Sequence, residues 1–142
     1  MQVQELMTQN IDVVAPDMTI REVAQMMRDE NVGAYPIGEN DRLIGMITDR
    51  DIAVRGVADD RPAGATSARD VMSDDVCYCF DDDDETRAAE LMANHQVHRL
   101  PVLNRDKRLV GIVALADLAR ADSDAIRTAV SGISEPTGKS RS

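Results

Sequence analysis

Two short stretches of the sequence combine a carboxylate with a predicted turn from strand to helix. The first, Gly45 to Asp51, reads Gly-Met-Ile-Thr-Asp-Arg-Asp and places Thr48 three residues before Asp51. An apolar run ends there and polar residues begin, which is typical of a strand that leads into a helix N-terminus. Free backbone N–H groups at such a junction, beside a hydroxyl and a carboxylate, can hold a sugar or a phosphate; the same groups can also simply cap the helix.

The second stretch, Gly111 to Asp117, repeats this pattern with one change. Ala114 stands where the first stretch has Thr48, whereas Asp117 keeps the acid. The second junction therefore offers a carboxylate without the neighbouring hydroxyl.

Both stretches belong to an internal repeat with a period near 65 residues. Leu6-Met7-Thr8 matches Val71-Met72-Ser73, and after one inserted residue the offset becomes 66, which aligns Asp51 with Asp117. We therefore expect two similar halves. Residues 1–56 are the predicted first repeat, 57–68 the linker, 69–121 the second repeat and 122–142 a partly disordered tail.

Each half is predicted to fold in the order β-α-β-β-α. Thr19 with Glu22 three residues later is a capping box, which marks the start of the first long helix. The first half is expected to have strands at 11–15, 34–37 and 43–47 and helices at 19–31 and 49–55, the last one capped by Gly56. The second half is expected to have strands at 76–80, 99–103 and 109–113 and helices at 84–94 and 115–121.

Composition and motifs argue against several functional classes. A net charge of −10 and a pI near 4.5 disfavour nucleic acid and anionic membrane surfaces as partners. We find neither a signal peptide nor an apolar run of roughly 18 residues, so the prediction is a cytoplasmic protein. No Ser-His-Asp set, Walker loop or catalytic carboxylate pair is recognisable, so we expect no enzyme. The acidic run Asp81 to Glu85 is interpreted as helix N-terminal capping.

Two copies of this pattern in register resemble a tandem pair of CBS domains. The resemblance covers Val3 to about Arg120 and includes Val97 to Val102, which is similar to the His-Arg-x-Pro segment of nucleotide-binding repeats. It implies an α/β (α+β) fold of two tandem β-α-β-β-α repeats packed with pseudo-twofold symmetry. Length and layout are similar to small stand-alone bacterial CBS pairs, the hypoxic response type among them.

The family binds adenosine-containing ligands, such as AMP, ADP, ATP or S-adenosylmethionine, in clefts between the repeats. The resemblance places ribose at Asp51, sugar or phosphate at Thr48 and adenine against Met46. It implies a regulatory ligand sensor without a resident cofactor. Of the ligands, AMP, ADP or ATP are favoured over S-adenosylmethionine.

In the family the other repeat supplies the phosphate end of each cleft. This role falls on His98 and Arg99, with Arg50 as a possible helper. In the second cleft the corresponding positions hold no cation, and Ala114 lacks a hydroxyl beside Asp117. We therefore expect one competent nucleotide site and one degenerate site.

Two alternatives remain open at this point. Apolar helix faces, and the way in which CBS pairs commonly associate, predict a homodimer. One alternative is a dimerising interaction domain whose clefts are vestigial and whose surface or tail is recognised by a protein partner. The other is a zinc or thiol sensor that uses Cys77, Cys79, His95 and His98. Their spacing matches no standard zinc motif, which favours two half-buried structural thiols.

Overall fold

The computed structural model describes residues 1–120, which form two compact units. Asp12–Val76 makes up one of them, here called the central unit. Met1–Ile11 joins the chain from Cys77 onward in the other, here called the split unit. The units therefore differ from the sequence repeats at their edges, since the first residues of the chain pack with elements of the second repeat. The predicted tail, 122–142, lies outside the described residues.

The central unit begins its regular structure with helix α1, Ile20–Glu30. The predicted capping box is confirmed: Thr19 Oγ1 accepts a hydrogen bond from Glu22 N, and Glu22 Oε1 accepts one from Thr19 N, both at 3.2 Å. The helix ends at Asn31, which adopts the left-handed conformation with φ 55°. Its buried residues are Ile20, Val23 and Met27.

Strands β1, Ala34–Glu39, and β2, Arg42–Thr48, form an antiparallel ladder in this unit. Single bridges extend the ladder on both sides, from Val14 to Ile37 and from Ser73 to Met46. The strand predicted at 11–15 is thus reduced to the bridge at Val14.

Strand β2 leads directly into helix α2, Asp49–Asp51, which continues as a π-helix over Ile52–Val57. The prediction that Gly56 caps this helix is wrong, because Gly56 lies inside the π-helical segment. A Cβ on Gly56 would lie 2.9 Å from Ile20 Cδ1, so the glycine lets the segment pack closely against α1. Residues 57–68, predicted as a linker, pack back on α1: Ile20 N donates to Thr66 O at 2.9 Å.

The split unit repeats this arrangement. Strand β3, Cys79–Phe80, runs parallel to β4, Arg99–Leu103, which is antiparallel to β5, Leu109–Ala114. The helices are a 3-10 turn at Val3–Glu5, α4 at Glu85–His95 and α5 at Leu115–Leu118. In the central unit, the short helix Ala68–Val71 (α3) corresponds in the repeat to Val3–Glu5. The strand predicted at 76–80 begins only at Cys79.

The two matching Leu/Val-Met-Thr/Ser segments each lie against the last strand of a unit. Thr8 pairs with Ile112 of β5, and Ser73 pairs with Met46 of β2. Each segment therefore closes the sheet of the repeat other than the one to which it belongs in sequence.

Each unit has its own hydrophobic core, built mainly from aliphatic residues. The central unit buries Val14, Ile20, Val23, Met27, Tyr35, Ile37, Ile47, Ala68 and Val71. The split unit buries Val3, Leu6, Cys79, Ala88, Ala89, Met92, Leu100, Val102, Val113 and Leu118. In the part of the chain that is described, no helix combines the length and apolar character needed to cross a membrane.

The acidic run has local structural roles, which confirms the capping interpretation. Asp84 caps α4 by accepting a hydrogen bond from Thr86 N at 3.0 Å, and this bond lowers the pKa of the Asp84 carboxyl. Asp83 accepts from Phe80 N at 2.9 Å. Asp82 pairs with Arg105 at 2.7 Å, and the hydrogen bond from the guanidinium lowers the pKa of that carboxyl.

Candidate functional site

The strand-to-helix junction of the central unit is closed by a reciprocal pair of hydrogen bonds. Thr48 Oγ1 accepts from Asp51 N, and Asp51 Oδ2 accepts from Thr48 N, both at 3.0 Å. The carboxylate is therefore fixed by one of its oxygens. Within residues 1–120, the structure gives Asp51 Oδ1 neither a hydrogen bond nor an ion pair. A half-buried carboxylate with one engaged and one available oxygen is suited to accept hydrogen bonds from sugar hydroxyls.

The junction of the split unit uses both oxygens of its carboxylate. Asp117 Oδ2 accepts from Ala114 N at 2.8 Å, which is the same capping bond. Asp117 Oδ1 lies 3.1 Å from Arg120 Nη2, in an ion pair whose side chains are 20% and 65% exposed. The two acids therefore differ in more than the missing hydroxyl, because among residues 1–120 only Asp117 has a cation beside its second oxygen.

Met46 and Arg50 lie on either side of Thr48 in the central unit. Met46 is half-buried two residues before Thr48 on β2, so both side chains stand on the same face of the ladder. Its backbone is held by two hydrogen bonds of 2.9 Å with Ser73. Arg50 is exposed in the first turn after the junction. The residues predicted to contact adenine, sugar and phosphate in this repeat thus all lie within residues 46–51, at the end of β2 and the start of α2.

His98 and Arg99 lie in the split unit, at the start of β4. Arg99 is the cross-strand partner of Ala114, and His98 O accepts a hydrogen bond from Leu115 N at 2.8 Å. Both residues are exposed. The predicted site residues therefore form two groups, one in each unit.

The cysteines have the character of structural thiols. Cys79 is buried, and this burial raises the pKa of its thiol to about 12. Cys79 also belongs to the hydrophobic core of the split unit, a typical place for a structural thiol. Cys77 is half-buried, whereas His95 and His98 are exposed. Among the described residues, no three His, Cys, Asp or Glu side chains are arranged to hold a metal ion.

Arg120 is a site residue that the sequence reasoning missed. Aligning the repeats at Asp51 and Asp117 sets Arg120 against Val54, so the alignment gives no sign of a conserved cation. The sequence did offer one signal for this ion pair. Arg120 lies three residues after Asp117, a spacing at which side chains of a helix can pair.

The sequence of the chain matches the family model of the CBS domain twice, over residues 3–56 and 68–124. The chain belongs to the CBS domain family. Among curated CBS relatives, YhcV of Bacillus subtilis is 44% identical over 117 residues, covering 82% of both chains. Hypoxic response protein 1 of Mycobacterium tuberculosis is 37% identical over 118 residues, with the same coverage.

Solved CBS structures show the same fold. The crystal structure of Hypoxic Response Protein I with two coordinated zinc ions is 36% identical, with a TM-score of 0.77, over 84% of this chain and 98% of that one. A CBS domain protein of Pyrobaculum aerophilum complexed with AMP is 24% identical, with a TM-score of 0.75, over 92% and 99%. A CBS pair complexed with 5′-methylthioadenosine and S-adenosyl-L-methionine is 24% identical, with a TM-score of 0.72, over 84% and 94%. At these identities, the last two likenesses establish the fold alone.

Proposed function

We propose that the chain is a non-catalytic regulatory module that binds one adenine nucleotide of the AMP, ADP or ATP class. The observation that carries the proposal is the Thr48–Asp51 cap, which fixes the carboxylate and leaves Asp51 Oδ1 without a protein partner in the described residues. The ribose hydroxyls donate to Asp51, Thr48 contacts sugar or phosphate, and Met46 lies against adenine. Relatives of the same fold bind AMP, which supports this class of ligand.

The phosphate end of the proposed site is positively charged. Arg50 follows Thr48 at the same junction, and the family resemblance assigns the main phosphate contacts to His98 and Arg99. A guanidinium recognises phosphate by paired hydrogen bonds, so Arg99 is the main proposed phosphate ligand. Arg50 and Arg99 are exposed cations in a chain whose formal charge is −10.

Binding regulates if the nucleotide prefers one arrangement of the repeats, or of a homodimer, over another. No chemical reaction is required, because a difference in nucleotide affinity between two arrangements is enough to change their populations. We propose a cytoplasmic homodimer with a protein partner as the assembly that reads this shift.

Zinc is the second candidate, because a relative of 36% identity was crystallised with two coordinated zinc ions. The residues concerned here are Cys77, Cys79, His95 and His98. The burial of Cys79 in the hydrophobic core argues against it. Elemental analysis of the purified protein that finds no zinc would end this candidate.

Thermal denaturation with added nucleotide tests the proposed function. A ligand at about a hundred times its dissociation constant adds roughly 2.7 kcal/mol to the free energy of unfolding. For a domain of this size we expect a rise of several degrees in melting temperature. AMP, ADP and ATP should be compared with S-adenosylmethionine and with GMP as a base control. If no adenine compound raises the melting temperature, the proposal is wrong and the interaction-domain alternative gains.

A further inference from the structure

Two arginines hold equivalent positions in the two units. In the split unit, Arg120 Nη2 donates to Leu6 O at 3.0 Å. In the central unit, Arg55 Nη1 donates to Val71 O at 3.4 Å and to Met72 O at 3.0 Å. Because Leu6 and Val71 are matching positions of the repeat, both arginines anchor the same segment, Arg55 from the π-helical segment after α2 and Arg120 from the turn after α5.

The two arginines stand at different distances from their acids along the chain. Arg55 is four residues after Asp51, whereas Arg120 is three residues after Asp117. The π-helical segment Ile52–Val57 lies where the first repeat has the additional residue. Wider turns accommodate one more residue within the same helix, so Arg55 still reaches the matching carbonyl.

The second contact of each guanidinium is what differs. Arg55 donates its second hydrogen bond to the Met72 carbonyl oxygen. Within residues 1–120, Arg55 makes no ion pair with Asp51. Arg120 donates its second hydrogen bond to Asp117 Oδ1 at 3.1 Å. The oxygen that the proposed ribose contact needs is therefore available in the first repeat and engaged in the second.

On the basis of the proposed function, we infer that Arg120 is a specificity residue that closes the second adenosine site by neutralising and covering Asp117. The site that it closes is one for an uncharged nucleoside. Ala114 offers no hydroxyl, and the positions that match His98 and Arg99 are Gly33 and Ala34, which offer no charge for a phosphate. Arg55 leaves the first site open because its guanidinium is held by two carbonyl oxygens.

Residue-resolved NMR titration with adenosine tests this inference. The amide signals of Thr48 and Asp51 report on the first site, and those of Ala114 and Asp117 report on the second. In Arg120→Gln we expect adenosine to bind at the second site up to about fivefold more tightly than in the parent protein, which corresponds to the roughly 1 kcal/mol at the upper end for an exposed ion pair. Arg120→Lys keeps the positive charge and should keep the site closed.

Two further variants separate this effect from general loosening. Arg55→Gln removes the matching anchor of the other unit, and it should leave the adenosine affinity at Thr48 and Asp51 within twofold. Arg120→Gln combined with Asp117→Asn should lose the gained affinity. The inference is overturned if Arg120→Gln binds adenosine at the second site no better than the parent, or if Arg55→Gln opens that site equally well.

The same titration distinguishes the failure of the proposed function. If the Thr48 and Asp51 signals of the parent protein respond neither to adenosine nor to AMP, the proposed nucleotide site is wrong. Saturable movement of the Ala114 and Asp117 signals in Arg120→Gln would still support the role of Arg120.

Discussion

Asp51→Asn is expected to weaken AMP binding by about 30- to 150-fold, which corresponds to the roughly 2 to 3 kcal/mol of hydrogen bonding to a charged acceptor. The substitution is chosen because the amide oxygen of asparagine can still accept the hydrogen bond from Thr48 N, so the helix keeps its cap. Only the charge and one acceptor are lost. Isothermal titration calorimetry measures the change directly.

Asp117→Asn is the matched control for this prediction. It makes the same chemical change at the same position of the second repeat, where the carboxylate already pairs with Arg120. We expect AMP affinity to stay within about threefold of the parent, since the change lies at the site that we propose to be degenerate. Equal losses from the two substitutions would contradict the proposed asymmetry.

Gly45→Ala is expected to cost about 1 to 3 kcal/mol of stability, because overpacking at a close approach forces backbone to move. A Cβ at this position would lie 2.5 Å from Met72 Sδ and 2.9 Å from the Ser73 carbonyl oxygen. The methionine side chain can shift, but the carbonyl belongs to the paired segment that closes the sheet. Chemical denaturation measures the loss.

Gly64→Ala is the control for Gly45→Ala. A Cβ on Gly64 also has a short contact, 2.8 Å to Arg21 Nη1, but this atom is the end of an exposed, flexible side chain. We expect a stability change within about 0.5 kcal/mol, as for ordinary surface substitutions. If Gly64→Ala destabilised the protein as much as Gly45→Ala, the close approach at Ser73 would not be the cause.

The sequence predicted the repeat, the long helices, most strands and the N-terminal capping because these depend on neighbouring residues. It did not predict that residues 11–15 form only a bridge at Val14, or that Gly56 lies inside a π-helix. The capping box at Thr19 and Glu22 and the limits of β4 agree with the structure. Both follow from hydrogen bonding and periodicity over a few positions. The CBS family was identified from the same local patterns, together with their repetition.

Local patterns did not predict that each closing segment pairs with the last strand of the other repeat. Leu6-Met7-Thr8 and Val71-Met72-Ser73 are nearly the same in pattern, so their residues do not indicate which strand each one joins. Which strand each segment pairs with depends on the path of the whole chain through the fold. The first segment consequently closes β5, and the second closes β2.

The π-helix and the role of Arg120 were missed for a related reason. Nothing in Ile52–Val57 distinguishes a π-helix from an α-helix at the level of residue type. The additional residue also hid the equivalence of Arg55 and Arg120, because an alignment made at the acids separates them. Only the hydrogen bonds to Val71 O and Leu6 O reveal that they correspond.

The central claim is that one repeat keeps a working nucleotide site while the other does not. The most direct test is a titration of the parent protein with AMP. Calorimetry gives the number of sites per chain, and NMR gives their location. We expect one AMP per chain, with the amide signals of Thr48 and Asp51 moving and those of Ala114 and Asp117 staying in place. Two equivalent sites per chain, or a single site reported by Ala114 and Asp117, would contradict the claim.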